Sequence, residues 1–297
     1  MALKIVKASD PVTVEHVNVC IYSQPGLGKT TLAFTADAPL LLDADHGSYR
    51  AANRKDTVAV SSWKDIQDIA SEDLKQYKTV ILDTAGRALD FLTGDIIAEN
   101  PKMGRGGALT LQGFGVLKTR FASWLKMLQT FGKDVILIAH MDEQRSGDDI
   151  IERLDVQGGS KGEIYKSVDA MGRIFMKGKD RILDFSPREN SFGKNPCNFD
   201  PIPFKLEETT LMAVLLGLMK ERMNQLSGEQ KAAQDQLLDW SNAINDYKSA
   251  ADFNNVLDEL RKTPKAIQSL AALQAKKLGF SFNASTKLYE ETAVAKR

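Results

Sequence analysis

Short apolar runs alternate with amphipathic segments along the first two thirds of the chain. Runs such as VNVCIY, residues 17–22, are rich in β-branched residues and carry no charge, which is the pattern of a strand buried on both faces of a sheet. The candidate strands are residues 17–22, 39–44, 57–60, 79–83 and 134–140. Apolar residues at helical spacing give the candidate helices, residues 63–73, 85–100 and 109–131. This alternation predicts a mainly parallel sheet flanked by helices.

The pattern changes after the last of these strands. Residues 171–187, MGRIFMKGKDRILDFSP, hold two short apolar runs around a GKD turn, which predicts a hairpin at the edge of the sheet. A loop rich in Pro, Gly and Asn follows, and we expect a domain boundary near Phe204. Beyond it the sequence predicts three or four amphipathic helices, separated by SG, KS and TP breaks. The predicted domains are an α/β core, residues 1–204, and a helical C-terminal region, residues 205–297.

The composition narrows the class of protein. The chain has 297 residues, of which 43% are hydrophobic, enough to form a large core. Its 39 Lys and Arg residues balance its 39 Asp and Glu residues, so any nucleic-acid surface must be local. Two cysteines, Cys20 and Cys197, are too few for a disulfide framework and are widely separated. Because no signal peptide and no run of roughly 20 apolar residues is evident, we expect a soluble protein of a reducing cytoplasm, away from membranes.

The segment YSQPGLGKTT, residues 22–31, is the first with recognisable chemistry. It matches the phosphate-binding pattern G-x-x-x-x-G-K-[ST], except that Ser23 replaces the first glycine. A buried strand precedes the segment and a helical segment follows, as such a loop requires. Lys29 would reach the β- and γ-phosphates of ATP, and the Thr30 hydroxyl would bind Mg²⁺. The alternative is a glycine-rich turn without chemistry. The predicted nucleotide-binding residues are Gly26, Gly28, Lys29, Thr30 and Thr31.

A second buried strand ends in a carboxylate. In KTVILDTAG, residues 78–86, Asp83 follows a run of apolar residues and lies at the carboxyl end of the predicted strand, where α/β sheets bind ligands. An aspartate at this place holds Mg²⁺ through water opposite the phosphates. Capping of the following helix is the alternative role. Since a phosphate loop precedes it in the chain, we predict that Asp83 and Thr30 form the magnesium site.

A third run, PLLLDADHGSYR, covers residues 39–50. It places Asp43, Asp45 and His46 just past the predicted strand that follows the phosphate-loop helix. It resembles the RecA recombinase family, in which a glutamate followed by histidine at this place polarises the attacking water. The resemblance gives that catalytic role to Asp45. Aspartate is shorter by one methylene, about 1.5 Å, which favours weak hydrolysis. The alternatives are a solvated turn at this position and Glu143 as the base.

The strand DVILIAH, residues 134–140, brings His140 to the same edge of the sheet. In RecA-type ATPases a polar residue here senses the γ-phosphate and signals to a mobile loop that touches DNA. The resemblance implies this role for His140, and a purely structural histidine is the alternative. The polar residues that follow, 145–167, include several glycines and are predicted to form the mobile loop.

The order of these motifs resembles one group in particular, the phage-encoded RecA-like nucleotide-binding proteins of the AAA type. The resemblance covers residues 15–205 and includes QGFG and FGKNP. The group contains single-strand annealing recombinases that act with a single-strand DNA-binding protein. The resemblance implies an ATP-binding recombination protein that assembles on single-stranded DNA as a ring or filament, with the nucleotide between subunits. A cation of the neighbouring subunit would complete the site, and the candidates are Lys194, Arg181 and Lys177.

Basic loops offer contacts for single-stranded DNA, which binds in positively charged grooves. The loop KMGRGG contributes Lys102 and Arg105, and the predicted mobile loop contributes Arg145 and Lys161. For each of these cations, a solvated charged surface is the alternative. Two alternative functions also remain open. One is a DNA helicase or packaging motor, and the other is a nucleotide-gated adaptor that loads another recombination protein.

Overall fold

The computed structural model describes residues 13–146, 149–156 and 160–291 of the chain. Its larger part is built on a nine-stranded sheet, whose central strands are short runs of apolar, often β-branched residues. The strands of this part are β1 (Asn18–Ser23), β2 (Pro39–Asp43), β3 (Thr57–Ala59), β4 (Thr79–Asp83), β5 (Gly104–Arg105), β6 (Ala108–Leu109), β7 (Asp134–Ser146), β8 (Asp149–Leu154), β9 (Ala170–Lys177), β10 (Asp180–Asp184) and β11 (Ile202–Phe204). Strands β5 and β6 pair only with each other.

The strand order of the sheet is β11-β10-β9-β1-β7-β4-β2-β3, and β8 pairs with β7. Pairing is parallel from β9 through β3, while β10 and β11 run antiparallel at one edge. The mainly parallel sheet with an edge hairpin is therefore confirmed. In this register, the carboxyl ends of β1, β4 and β2 share one edge of the sheet with His140 of β7, because Ser23 pairs with His140 and Asp43 pairs with Asp83.

Helices cover the sheet on both sides. They are α1 (Lys29–Ala33), α2 (Lys64–Gln67), α3 (Ala85–Glu99), α4 (Leu111–Thr130) and α5 (Ser160–Ser167). The helix predicted over residues 63–73 is wrong in its extent, since α2 ends at Gln67. The carboxylate of Asp65 accepts hydrogen bonds from the backbone N–H groups just before α2, and that of Asp73 accepts one from Ala70 N–H. These side-chain contacts favour turns over a continuous helix.

The core consists of two apolar layers, one on each face of the sheet. Alternate residues of a strand point to opposite faces, so Cys20 and Tyr22 of β1 join one layer, while Val19 and Ile21 join the other. Strands β4 and β7 divide in the same way. Burial on both faces explains why these strands read as continuous apolar runs in the sequence.

Strand β7 continues past its parallel neighbours and pairs with β8 in an antiparallel hairpin, from Met141 opposite Leu154 to Ser146 opposite Asp149. We call residues 141–146 and 149–154 the arm. The prediction of a loop over residues 145–167 is wrong for residues 145–146 and 149–154, which form strands of the arm, and for α5 (Ser160–Ser167). The segment DIIERL, residues 149–154, lacks the strict alternation of polar and apolar residues that indicates a half-buried strand, so its sequence does not predict β8. Residues 147–148 and 157–159 of the predicted loop lie outside the described residues.

The chain divides into two compact units, one formed by residues 13–224 and another that contains residues 225–291. Helix α6 (Leu211–Asp246) passes through the division as a single helix of 36 residues, across the SG break predicted from the sequence. One glycine costs a helix only about 1 kcal/mol, too little to end a long one. The division falls beyond Phe204, because Met212, Leu215 and Met219 of α6 are buried in the core of the larger unit.

The second unit has its own small core around Phe253, with Ile244, Ile267 and Tyr289 packed against it. Its elements after α6 are α7 (Ala250–Asn255), α8 (Leu257–Leu260), α9 (Lys265–Lys277), β12 (Phe280–Asn283) and β13 (Leu288–Glu291). The helices were predicted, but the antiparallel pair β12–β13 was not. Among the described residues, no helix combines the length and the apolar character needed to cross a membrane.

Candidate nucleotide site

The phosphate loop, residues 23–30, leaves β1 and enters α1. Gly26 and Gly28 adopt φ angles of 81° and 88°, in the left-handed region that favours glycine. Ser23, which replaces the first consensus glycine, is fully buried. Its hydroxyl donates to the Gln24 carbonyl at 2.8 Å and accepts from the Lys29 ammonium at 3.2 Å. The serine therefore takes part in the hydrogen bonding of the loop.

Lys29 points back along the loop. Its ammonium also donates to the carbonyls of Ser23 at 3.1 Å and of Gln24 at 3.0 Å. Burial lowers the pKa of Lys29 to about 8, and the nearby carboxylates of Asp83 and Asp45 oppose this shift. The ammonium remains charged at neutral pH and can transfer its hydrogen bonds from carbonyls to phosphate oxygens.

Thr30 and Asp83 form the predicted magnesium pair. The Thr30 hydroxyl donates to Asp83 Oδ2 at 2.6 Å, which places both oxygens at one point of the sheet edge. Burial raises the pKa of Asp83 to about 6, and the hydrogen bond from Thr30 opposes the shift. In the described part of the chain, no cluster of three or more His, Cys, Asp or Glu side chains could hold a metal. Magnesium here would depend on phosphate oxygens as well as on these two side chains.

The turn after β2 separates the three acidic and imidazole groups of DADH. The Asp43 carboxylate accepts hydrogen bonds from the N–H groups of Gly47 and Ser48, at 3.1 and 3.0 Å, and so fixes the turn. Asp45 N–H donates to the carbonyl of Asp83 at 3.0 Å, which places Asp45 beside the magnesium pair. His46 is exposed and has a φ angle of 49°. Asp43 is thus structural, and Asp45 faces the site.

His140 lies opposite Asp45, with Nε2 at 3.6 Å from Asp45 Oδ2. Burial and the charge of Lys29 lower the pKa of His140, while Asp45 raises it, so the imidazole is neutral at neutral pH. Its Nδ1 atom is buried and has no hydrogen-bond partner among the described residues. The neutral ring can donate one N–H to a phosphate oxygen, as the sensor role requires.

These groups surround one cleft of about 520 Å³. All five predicted nucleotide-binding residues line it, together with Asp45, Asp83 and His140. The cleft is also lined by residues that were not among the predicted site residues, namely Pro25, Gly47, Arg50, Ala51 and Leu206. Leu206 packs directly on the phosphate loop, because a Cβ atom at Gly28 would meet its Cδ2 atom at 2.4 Å. No local sequence signal identifies Leu206, which follows β11 far along the chain.

A further contact connects the phosphate loop to the arm. Gln24 Nε2 donates to Glu143 Oε1 at 2.8 Å. Glu143, the alternative base in the sequence analysis, therefore contacts the loop side chain in this structure. Sequence reasoning missed the pair because Gln24 lies in the loop after β1 and Glu143 in β7, and only the pairing of β1 with β7 brings them together.

The three candidates for a cation from a neighbouring subunit lie in different surroundings. Lys194 donates to the carbonyl of Val168 and its ammonium lies 5.7 Å from the centre of the Tyr165 ring, so it is engaged within its own chain. Arg181 lies beside the phosphate loop of its own chain, with Nε 3.9 Å from a Cβ position built at Gly28. Lys177 is exposed at the end of β9. The structure does not bring these three cations together.

The predicted DNA-binding cations are also separated. Lys102 and Arg105 are exposed between α3 and α4, in a short 3₁₀ helix and in β5. Arg145 is exposed on the arm, and Lys161 belongs to α5. Within the described ranges, no ion pair links any of these four side chains to a carboxylate. The four side chains thus belong to four different elements.

The arrangement of the cleft fits a magnesium nucleotide. Glycines with left-handed φ angles, a buried lysine and a hydroxyl paired with a carboxylate are the parts that bind phosphate and magnesium in such loops. Asp45 and His140 lie against each other in the same cleft, and Asp45 is next to the magnesium pair. The cleft can thus bind a nucleoside triphosphate and can orient water against it.

Comparisons with known proteins agree with this geometry. Residues 15–197 match a family model described as an AAA domain, which is more than half of the chain. Among curated proteins, none matches the sequence. The chain is similar to a solved KaiC-like protein from the hyperthermophilic archaeon Pyrococcus horikoshii OT3, with 12% identity, a TM-score of 0.38, and coverage of 69% of this chain and 95% of that chain.

It is also similar to a solved ATPase from the type III secretion system of pathogenic bacteria, with 15% identity and a TM-score of 0.36. That likeness covers 54% of this chain and 52% of the other. The family match, together with the phosphate loop and the mainly parallel sheet, confirms the predicted P-loop ATPase core. The chain belongs to the AAA domain family of P-loop ATPases.

Proposed function

We propose that this ATPase is a phage-type DNA recombination protein that assembles on single-stranded DNA and promotes annealing or strand pairing. The nucleotide site supports the ATP-dependent part of the proposal, since Lys29, the Thr30–Asp83 pair and Asp45 converge on one cleft. The DNA-related part is supported by the resemblance of motif order to annealing recombinases and by basic residues outside the cleft.

The observation that carries the proposal is the direct connection between the cleft and the arm. His140 lies at the end of the part of β7 that belongs to the sheet, and the same strand continues into the arm. Gln24 of the phosphate loop donates to Glu143 of the arm. Asp155, just after the arm, donates its N–H to the His140 carbonyl at 2.9 Å. A change at the phosphates would therefore reach the arm, which carries the exposed Arg145.

In the proposed reaction, Lys29 binds the phosphates and Asp45 accepts a hydrogen bond from the attacking water. Bound magnesium, held through Thr30 and Asp83, would offset phosphate charge. Asp45 acts as the base, and His140 donates to the terminal phosphate in its neutral form. Hydrolysis is expected to be weak, because an aspartate takes the place of the longer glutamate. We further propose that copies of the chain form a homo-oligomer and cooperate with a single-strand DNA-binding protein.

Strand pairing tests the function directly. Two complementary single strands, one labelled with a donor dye and one with an acceptor, should pair faster with the protein and Mg-ATP than without them. The Lys29→Ala variant provides the matched control and should lose the nucleotide-dependent part of the acceleration. Electron microscopy with single-stranded DNA, with and without a non-hydrolysable ATP analogue, should show rings or filaments.

A forked duplex separates this function from the motor alternative. We expect no unwinding of the fork at any ATP concentration. Robust ATP-dependent unwinding would replace the proposal with a helicase. Nucleotide binding without DNA binding or strand pairing would instead favour the adaptor that loads another recombination protein.

A further inference from the structure

Arg50 is the residue of the nucleotide cleft whose charge has no counterpart in the phosphate-loop pattern. It lies at the end of a short 3₁₀ helix, Ser48–Arg50, in the turn that follows β2. Asp43 fixes that turn through the N–H groups of Gly47 and Ser48. The guanidinium lies against Tyr49, with Nη1 donating to the tyrosine hydroxyl at 3.1 Å. Its Nη2 atom is 3.9 Å from Asp45 Oδ2.

Glycine at position 47 makes room for this arrangement. A Cβ atom on Gly47 would lie 2.4 Å from Arg50 Nη2 and 3.2 Å from Arg50 Cζ. Gly47 has a φ angle of −106°, which any residue can adopt, so the backbone does not require glycine here. The space that the missing side chain leaves is filled by the guanidinium. Glycine at position 47 therefore leaves space for the Arg50 side chain, and the backbone conformation does not require it.

The charged residues of the cleft indicate a phosphate-binding role for Arg50. The charged side chains that line the cleft are the cations Lys29 and Arg50 and the carboxylates Asp45 and Asp83. Lys29 is buried in the phosphate loop, so Arg50 is the cation of the cleft lining whose side chain is free to move toward a bound phosphate. Arginine suits the task because its planar donors bind phosphate oxygens in pairs.

Arg87 offers an internal comparison. Its Nε atom is 3.8 Å from Asp45 Oδ1, and its side chain is 61% exposed, against 62% for Arg50. The two arginines thus contact the same carboxylate at nearly the same distance and with the same exposure. Only Arg50 lines the nucleotide cleft, whereas Arg87 faces a separate cavity of about 240 Å³ on the other side of Asp45.

We propose that Arg50 binds the terminal phosphate of the nucleotide held in the cleft of its own chain, as a cation that acts in cis. The proposal rests on the proposed nucleotide site and adds a residue to it. Its side chain turns from Asp45 to the γ-phosphate, so that Asp45 is freed to accept a hydrogen bond from water. The chain can then recognise the triphosphate without a cation from a neighbouring subunit.

The test is the preference for a triphosphate over a diphosphate. Isothermal titration calorimetry in the presence of Mg²⁺ measures the affinity for ADP and for a non-hydrolysable ATP analogue that has a β,γ-imido bridge. Arg50→Ala should weaken binding of the analogue by about 10- to 100-fold, the effect of one charge-assisted hydrogen bond, and binding of ADP by less than about threefold.

Arg87→Ala is the matched control and should leave the preference between the two nucleotides within about twofold of the wild type. If Arg50→Ala weakened both nucleotides equally, the residue would contact another part of the nucleotide and the proposal would be wrong. An equal loss of preference in Arg87→Ala would also overturn it, because the effect would then come from the charge on Asp45.

Mixing variants separates action in cis from action in trans. Lys29→Ala subunits carry an intact Arg50 but no phosphate-binding lysine. Adding them to Arg50→Ala subunits should not restore affinity for the analogue, and restoration would assign Arg50 to the nucleotide of a neighbour. A wild-type protein that binds neither nucleotide would instead refute the proposed function itself, and the inference with it. Thermal melting of each variant verifies that it is folded.

Discussion

The nucleotide cleft and the candidate DNA-binding cations differ in how the fold brings their residues together. Lys29 comes from the start of α1, Asp45 from the turn after β2, and Asp83 and His140 from β4 and β7, yet they meet in one cleft. The candidate DNA cations, such as Lys102 and Arg145, lie on separate elements that the described contacts do not connect. The first set has a defined geometry, and the second is a distribution of charge.

The difference follows from the structural context of each set. Residues at the carboxyl ends of neighbouring parallel strands must be close, because the ladder fixes their register. Residues in connections have no such constraint, and exposed cations are common on any protein surface. A small ligand is recognised at one point, whereas a long polymer can use cations that are far apart. The predictions below test each side of this contrast.

The largest effect should come from Lys29. Lys29→Ala removes the phosphate-binding ammonium, and we expect ATP affinity to fall by at least about 100-fold, since a charge-assisted contact to several phosphate oxygens is lost. The fold should persist, because the buried ammonium has an unfavourable desolvation energy that the variant removes. Equilibrium binding of a fluorescent ATP analogue measures the change.

Lys78→Ala provides the control for that experiment. Lys78 pairs with Asp37 on the exposed surface at the start of β4, at the opposite edge of the sheet. It should bind the analogue as the wild type does. Unchanged affinity in Lys29→Ala would show that the cleft is not a phosphate site, and the contrast between the two regions would disappear.

The sequence predicted site residues best where they lie at the carboxyl end of a buried strand. The strands themselves, the phosphate loop and the positions of Asp83 and His140 were predictable, because buried parallel strands appear as apolar runs and their ends share one edge. The second strand of the arm, β8, could not be predicted, because its residues DIIERL do not alternate between polar and apolar. Arg50, Leu206 and the Gln24–Glu143 pair could not be predicted, because each depends on packing between segments distant in the chain.

The second effect concerns catalysis within the cleft. Asp45→Asn keeps the shape of the side chain and removes its ability to accept a proton, so we expect ATP hydrolysis to fall by about 10²- to 10⁴-fold while ATP affinity is retained. Hydrolysis at saturating ATP and single-stranded DNA measures the loss. Glu143→Gln is the matched variant, as it changes the alternative base in the same way. If Glu143→Gln lost hydrolysis and Asp45→Asn kept it, the assignment of the base would be reversed.

The third prediction tests the candidate DNA-binding cations. Arg145 is exposed on the arm, and its replacement by alanine should weaken binding of single-stranded DNA of any sequence. If the guanidinium contacts one phosphate, the slope of log affinity against log salt should decrease by about 0.7. Lys75→Ala, which removes an exposed lysine paired with Glu72, should leave the slope unchanged. Equal slopes for the wild type and Arg145→Ala would place the DNA surface elsewhere.

A smaller effect should appear where the two regions touch. The hydrogen bond from Gln24 to Glu143 is exposed, so its removal is worth about 0.5–1.5 kcal/mol at most. Gln24→Ala should therefore reduce, by about two- to tenfold, the factor by which an ATP analogue changes affinity for single-stranded DNA. A double-mutant cycle with Glu143→Ala isolates the pair. Additive effects of the two substitutions would show that this contact does not couple the regions.

The smallest effect is a change in the pKa of His140, and it tests how tightly the cleft is built. The protein has 3 histidines, so proton NMR can follow each imidazole, and His140→Gln identifies the signal. We expect His140 to titrate below the ordinary value of 6.5, because burial and the charge of Lys29 disfavour the imidazolium. Lys29→Ala should raise this pKa, since a nearby positive charge is removed.

Asp45→Asn should shift the same pKa in the opposite direction. The Asp45 carboxylate stabilises the imidazolium, so its loss should lower the pKa of His140 further. The signs follow from linkage, because a group that favours the charged form raises the pKa of a base and one that opposes it lowers the pKa. An imidazole that titrates at 6.5 and responds to neither substitution would show that His140 is solvated and separate from the phosphate loop. One residue of the cleft would then resemble the separated cations of the candidate DNA surface, because it would not interact with its neighbours.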